Sequence, residues 1–455
     1  MSQDLQRRLT PRHITFMALG MCIGAGLFLG SASTIKLAGP SVLFAYMFGG
    51  AMIFIIMRAL GEMAAHEPVA GSFGAYAHKY LGPFAGYLTG WNYWILMMGV
   101  GIAESTAVGI YMKAWFPDSP QWIWAFASVA MIGGLNLLAV KVYGELEFWF
   151  SLIKVLTVVA MILGGFAMIW LGWGNGGKPV GLANLWTHGG WFPHGVTGMV
   201  LALPVLVFSF GGIETIGMAA AEAAQPERTI PRAVNSVIWR ILIFYIGSLF
   251  VIMAIYPWNE LDANSSPFVT TFARLGIPGA AGLINFVVIT AALSSFNSTT
   301  FSGSRMLHSL AGKGQAPAAM GKTSVHGVPV RGVLVTMAFL LFGVLMNYLV
   351  PGRIFGMMMS ILAFNTVWTW GMVLVAHWSF RRRQAQPLAF RLRVWPLSSV
   401  LCLAFLAFVW VMLAYSPDTR VAIYVGVAWI ALLTVAYYAF GIERRMRQAA
   451  ASDAA

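Results

Sequence analysis

Runs of apolar residues, each of roughly 18 or more positions and so long enough to cross a bilayer as a helix, divide the chain into twelve. They fall at 16–40, 41–63, 84–113, 122–140, 148–173, 196–221, 237–257, 279–304, 331–350, 354–377, 397–414 and 420–440. The polar links between them are about 25 residues at the longest, too short for a soluble domain. The pattern predicts an all-α membrane protein of twelve transmembrane helices, one domain over 1–445, with a disordered tail at 446–455.

Composition agrees. Of 455 residues 59% are hydrophobic and 9% charged, against about 25% charged in soluble domains. The net charge of +13 would suit a nucleic-acid partner only if the basic residues formed a patch outside the membrane, and they do not. With the tail holding Arg7, Arg8 and Arg12 in the cytoplasm, 22 Lys and Arg lie inside and six outside: Lys36, Lys113, Lys178, Arg274, Arg353 and Arg420. That asymmetry follows the positive-inside rule, predicts both termini in the cytoplasm, and makes the basic charge mainly a record of topology. No nucleic-acid partner is expected. A cleaved leader is not expected either: Gly30-Ser31-Ala32 mimics a cleavage site, but the run before it is glycine-rich and its removal would upset the charge asymmetry. Cys22 and Cys402 both fall inside spans and imply no disulfide framework.

Two spans are interrupted. The first carries Gly20, Gly24, Gly26 and Gly30 within the stretch from Met17. Irregular backbone at membrane depth survives only where it is buried in protein or lines a cavity. Unwinding near Gly24–Gly26 would present unpaired amides suited to a carboxylate; the same glycines also fit close helix packing. The sixth span carries Pro204 and Gly211-Gly212, where a half-helix can end with carbonyls free for an ammonium. Broken spans at first and sixth place make each the opening helix of a five-helix half. That predicts an inverted-repeat transporter, with repeats over 16–173 and 196–377, two added helices over 397–440, and the binding site between the breaks.

Few other polar residues lie at depth. Glu104, followed by Ser105 and Thr106, is nine residues before Lys113, about 13 Å from the outer end. It reads either as a site acid, meeting a substrate amine or carrying a proton, or as a structural acid. Lys154, one to two turns beyond Glu147, is either a buried proton carrier or a stem reaching back to the cytoplasmic interface. Glu214 follows the second break and reads as a tie for the unwound segment. Leu293 to Thr300 is rich in hydroxyls that face the site or bond backbone carbonyls. Arg58 and Glu62 read as a solvated or paired helix end, the link from Glu67 to Tyr76 as a connector or a gating element, and that from Glu222 to Arg232 as a polar loop. Eight histidines, among them His66, His308 and His377, lie at loops or span ends and form no metal or nucleophile constellation, so the chain is not expected to be an enzyme. A continuous channel lining is absent from the pattern, and a binding-only sensor is the remaining non-transporter reading.

Gly20-x-x-Ile-Gly-Ala-Gly-Leu-Phe28, Gly39-Pro-Ser41, Glu145 to Lys154, Phe208-Ser-Phe-Gly-Gly-Ile-Glu214 and Glu222-x-x-x-Pro-Glu-Arg-x-Ile-Pro-Arg-Ala-x-Asn235 together resemble the amino acid transporter family of the amino acid-polyamine-organocation superfamily. The likeness runs from about Leu9 to Arg445. It is strongest to proline-specific permeases, with histidine permeases of the same branch close behind and aromatic amino acids third. The resemblance implies the same five-plus-five inverted repeat with two added helices, and a proton symporter of the bacterial inner membrane. Its partners would be a neutral amino acid and the lipid bilayer, with no cofactor beyond the coupling proton. It implies a substrate carboxylate at the amides of Ala25 and Gly26 beside Gly24, a substrate nitrogen at the carbonyls of Cys22, Phe208 and Gly211 near Ser209, and Phe208 as a gate. It also implies proton coupling at Lys154 with Ser294 or Ser295, Glu104 facing the site, and structural or gating roles for Glu214 and Glu222. A sodium-coupled mechanism is the rival.

Overall fold

The protein is described here by a computed structural model covering residues 23–69, 71–137, 140–219, 225–262, 265–273, 279–324, 327–384 and 388–454. Every regular element among these residues is helical: α1 (Ala25–Phe28), α2 (Gly30–Ala38), α3 (Val42–His66), α4 (Ser72–Leu81), α5 (Pro83–Met112), α6 (Gln121–Asn136), α7 (Val140–Leu171), α8 (Gly195–Leu201), α9 (Leu203–Ser209), α10 (Thr215–Ala219) and α11 (Pro226–Arg240). After a π-helical stretch at Ile241–Gly247 follow α12 (Ser248–Ile255), α13 (Pro267–Ala273), α14 (Ala280–Gly312), α15 (Val330–Leu349), α16 (Ile354–Arg383), α17 (Leu397–Tyr415), α18 (Val421–Ala439) and α19 (Ile442–Ala454).

Nine helices among the described residues are long and apolar enough to cross a membrane. The first and second expected spans appear as one helical run, Ala25–His66, with a 3-10 turn at Gly39–Ser41 on the expected boundary. The fourth is the short α6, and the sixth is broken into α8, α9 and α10. The last helix, α19, runs from Ile442 to Ala454; at its start Met446 packs against Tyr87 and Tyr437, and Arg447 pairs with Glu443 one turn earlier at 2.6 Å.

The large side chains left exposed, such as Leu163, Trp170, Leu283 and Tyr438, face where lipid would lie. Inside, α14 packs lengthwise on α5 and also meets α7, α6 and α15, while α16 packs on α5, α4, α9 and α3. Lipid gives helices no hydrophobic reason to associate, so polar ties across helices carry register. Gln121 donates to Asn347 at 2.7 Å and Asn347 to Thr106 at 2.9 Å; Asn136 donates to Asn297 at 2.9 Å; Asn92 reaches the Asn365 carbonyl at 3.1 Å.

At the end of α3, Glu62 is fully buried and paired, not solvated. Its carboxylate accepts from the Leu392 amide at 2.6 Å, lies 3.1 Å from His377 Nε2 and 2.9 Å from Arg381 Nε. The α3 end is thereby fastened to α16 and the segment that follows it. Arg58 turns away to Asn235 at 3.0 Å and stacks over Phe390. The link after α3 is fastened too: Tyr76 donates to the Glu67 carbonyl at 2.6 Å. Partial burial pushes the Glu67 carboxyl up, but hydrogen bonds from Lys79 and Tyr80 outweigh it and hold it below its usual range.

Replacing Glu62 by Gln leaves Arg381 without its anion. Removing one partner of a buried pair costs about 3 kcal/mol, so a clear drop in the unfolding midpoint of the detergent-solubilised protein is expected. An unchanged midpoint would show that this cluster does not fasten α3 to α16.

Candidate functional site

The two interrupted spans meet. Ser209, the last residue of α9, sends its hydroxyl to the Gly26 carbonyl at 3.0 Å, and a Cβ built on Gly26 would stand 3.0 Å from Ser209 Cα. Glycine allows that approach of one broken backbone to the other without either having to shift. The α9 end is held from behind: Tyr245 donates to the Ser209 carbonyl at 2.6 Å, and Tyr46 reaches the Ser209 hydroxyl at 3.4 Å. Tyr46, Tyr245 and Phe210 pack as an aromatic cluster. Beyond α9 the chain turns through Gly212 at φ 96°, a conformation costly to any residue with a side chain. Both Glu214 oxygens accept the Gly212 amide, at 3.2 and 3.1 Å, and Trp370 Nε1 reaches the same carboxylate at 3.4 Å. Glu214 folds back on its own break and is itself fully buried.

The first break is served from α5. Both oxygens of Glu104 lie 3.1 Å from the Ala25 amide, and the Ser295 hydroxyl of α14 reaches the same carboxylate. The Glu104 side chain is 2% exposed. A carboxylate of the protein thus occupies the amide at which the sequence likeness places a substrate carboxylate. A Cβ on Gly24 would collide with Glu104 Oε1 and stand 3.0 Å from Ser295 Oγ, so Gly24 leaves the space that Glu104 fills.

Between the breaks lies a cavity of about 30 Å³ lined by Gly24, Gly26, Glu104, Phe208, Ser209, Gly211 and Ser295, with Met97, Val100, Gly212 and Thr299 completing it. That holds a water or two and no amino acid. Of the predicted site residues, Gly24, Gly26, Glu104, Phe208, Ser209, Gly211 and Ser295 are gathered here; Ala25 is not in the lining and meets it through its amide on Glu104. Cys22 and Glu222 lie outside the described residues.

Lys154 does not snorkel. Its residue is fully buried, and Nζ donates to Ser294 Oγ at 2.9 Å and to the Ile23 carbonyl at 3.4 Å, just before the first break. Ser294 donates in turn to Glu147 Oε1 at 2.7 Å, and Ser151 to the same oxygen at 3.1 Å. Sequence reasoning passed over Glu147, Tyr46, Tyr245 and Trp370. The helical spacing of Glu147, Ser151 and Lys154 on one face of α7 was the available signal for Glu147.

The whole-chain pattern of the amino acid permease family matches residues 13–449. The chain belongs to the amino acid permease family. This permease is 52% identical over 455 residues to an uncharacterized amino acid permease, YtnA, of Bacillus subtilis (strain 168), covering 99% of this chain and 98% of the relative. It is 46% identical over 447 residues to the probable threonine/serine transporter YbxG of the same organism, covering 98% and 97%. It is also 46% identical over 438 residues to the aromatic amino acid transport protein AroP of Escherichia coli, covering 96% of each. Its family and these relatives are transporters, not enzymes, and they place the chain in a membrane with an amino acid as its small-molecule partner.

Gly26→Ala presses a methyl group on the Ser209 backbone, which cannot rotate away. Overpacking of this kind costs about 1–3 kcal/mol, and the permease is expected to lose amino acid binding by roughly the corresponding 5- to 150-fold. Equilibrium binding to purified protein checks this; unaltered affinity would separate the break from the binding site.

Proposed function

We propose that this permease imports a neutral amino acid together with a proton, by alternating access, across the bacterial inner membrane. The twelve-helix, five-plus-five inverted repeat with two added helices belongs to this reading, as do cytoplasmic termini. The observation that carries it is the Glu104 carboxylate on the Ala25 amide where the two breaks meet. The donor receives one carboxylate there already, and an entering amino acid supplies another. As the substrate carboxylate takes the amides of Ala25 and Gly26, Glu104 is released to the substrate ammonium, which also meets the carbonyls of Phe208 and Gly211 and of Cys22. Phe208 closes over the ligand, and Glu214 holds the second break in its turn.

Charge matching favours a neutral side chain. The remaining cavity wall offers Met97, Val100, Phe208 and Thr299, a surface of apolar groups with one hydroxyl and no charge. Proline is the first candidate, on the sequence likeness, with histidine second. The names of the relatives put aromatic amino acids, threonine and serine beside them. Coupling is assigned to Lys154, whose buried ammonium bonds both Ser294 and the Ile23 carbonyl, with Ser295 joining the neighbouring Glu104. Loss of the Lys154 proton would loosen the first break, so protonation and the shape of the site are linked.

The test is uptake of labelled proline, histidine, phenylalanine, threonine and serine into proteoliposomes under an imposed inward proton gradient. Accumulation of at least one is expected, and competition ranks them. No gradient-driven flux of any would defeat the proton-coupled reading. Lys154→Ala is expected to cut gradient-driven uptake by about 100-fold, as loss of a proton-transfer group does; uptake that survives in this variant and follows sodium would favour the sodium-coupled mechanism instead.

A further inference from the structure

We infer that Glu147 is the second proton-exchanging group of this permease, acting with Lys154 through the Ser294 hydroxyl. The inference rests on the proton-coupled reading above.

The geometry is that of a relay with every donor pointing the same way. Lys154 Nζ donates to Ser294 Oγ at 2.9 Å, and Ser294 Oγ donates to Glu147 Oε1 at 2.7 Å. Lys154 and Glu147 are seven residues apart on α7, about 10 Å along the axis and on one face. Helical side chains lean toward the N-terminus, so the lysine stem reaches back and the two groups meet around the same serine. Glu147 and Ser294 are fully buried, as Lys154 is. No solvent is needed to pass a proton between them.

The step balances. The N–H bond of Lys154 that faces Ser294 breaks as the Ser294 oxygen takes that proton, and the O–H bond of Ser294 breaks as its proton passes to Glu147 Oε1. An ammonium and a carboxylate become an amine and a carboxylic acid, and Ser294 ends as the hydroxyl it began. Net charge inside the membrane does not change, so the transfer avoids leaving a lone buried charge. It also removes the charge that holds the Ile23 carbonyl, at the edge of the first break. Glu147 lies nearer the start of α7, the cytoplasmic end in the proposed orientation, and is therefore the group from which the proton leaves.

Among the described residues, these groups face the pair from the neighbouring helices. From α5 Glu104 lies within electrostatic reach of Lys154. From α14 the groups are the hydroxyls of Ser294 and Ser298, and from the first span the Ile23 carbonyl. The packed segments Ile241–Ile255 and Gln121–Asn136 contain no charged residue. Their one tyrosine, Tyr245, is committed to the Ser209 carbonyl.

The test compares two rates in proteoliposomes of the full chain: uptake driven by an inward proton gradient, and substrate exchange at equal pH on both sides. Glu147→Gln and Ser294→Ala are measured beside the unaltered protein, using whichever amino acid it accumulates best. Gradient-driven uptake is expected to fall by about 100-fold in each, and by far more than exchange, with the pH profile of uptake flattened. Equal falls in both rates would make Glu147 a packing partner and overturn the inference, as would gradient-driven uptake retained in Ser294→Ala. Ser294→Ala changes no charge and decides the matter if Glu147→Gln does not assemble. Unaltered protein that ignores the proton gradient would remove the coupled reading, and this inference with it.

Discussion

An unpaired backbone amide or carbonyl cannot be left in hydrocarbon, and the arrangement of this permease follows from how its two interrupted spans meet that constraint. The Ala25 amide is taken by Glu104 from α5, the Gly26 carbonyl by Ser209 from α9, and the Ile23 carbonyl by Lys154 from α7. The Ser209 carbonyl is taken by Tyr245 and the Gly212 amide by Glu214. Most of the partners come from a different helix. Each break therefore fixes the position of several neighbours, and those neighbours cannot shift without exposing the break. A site held in this way has few independent motions, and under the proposed reading that links ligand binding to helix movement.

The breaks themselves were legible in the sequence, because glycine density at membrane depth has few physical explanations. So were Glu104, Lys154 and Glu214, since a charge inside an apolar run stands out at once. What was not legible was who partners whom. Glu147 lies near the start of its helix, close to Glu145; its burial depends on where Ser294 arrives from α14, 147 residues away. Tyr46, Tyr245 and Trp370 are ordinary aromatic residues of apolar helices until their polar ends are seen to reach the broken backbone. From sequence Glu62 reads as a solvated or paired helix end and His377 as a span-end residue; helix α16 runs on to Arg383 and brings both into one buried cluster. The packing of Met446 on α5 and α18 is likewise not revealed by the local sequence, which is polar and alanine-rich.

The charges around the first break also constrain what can bind there under the proposed reading. Glu104 holds the Ala25 amide, and the space beside it is too small for a ligand. An arriving carboxylate displaces Glu104, which must then find a cation. An amino acid brings its own ammonium, so both newly exposed groups are satisfied by one molecule. A carboxylic acid without an amine would set Glu104 free with no partner in a dry site, and an amine without a carboxylate would draw Glu104 away and leave the Ala25 amide unpaired. Either defect costs about 1–3 kcal/mol or more, the desolvation penalty of a buried polar group without its partner. Selection of a zwitterion is thus built into the exchange of one carboxylate for another, and the apolar wall of Met97, Val100 and Phe208 is left to choose among side chains.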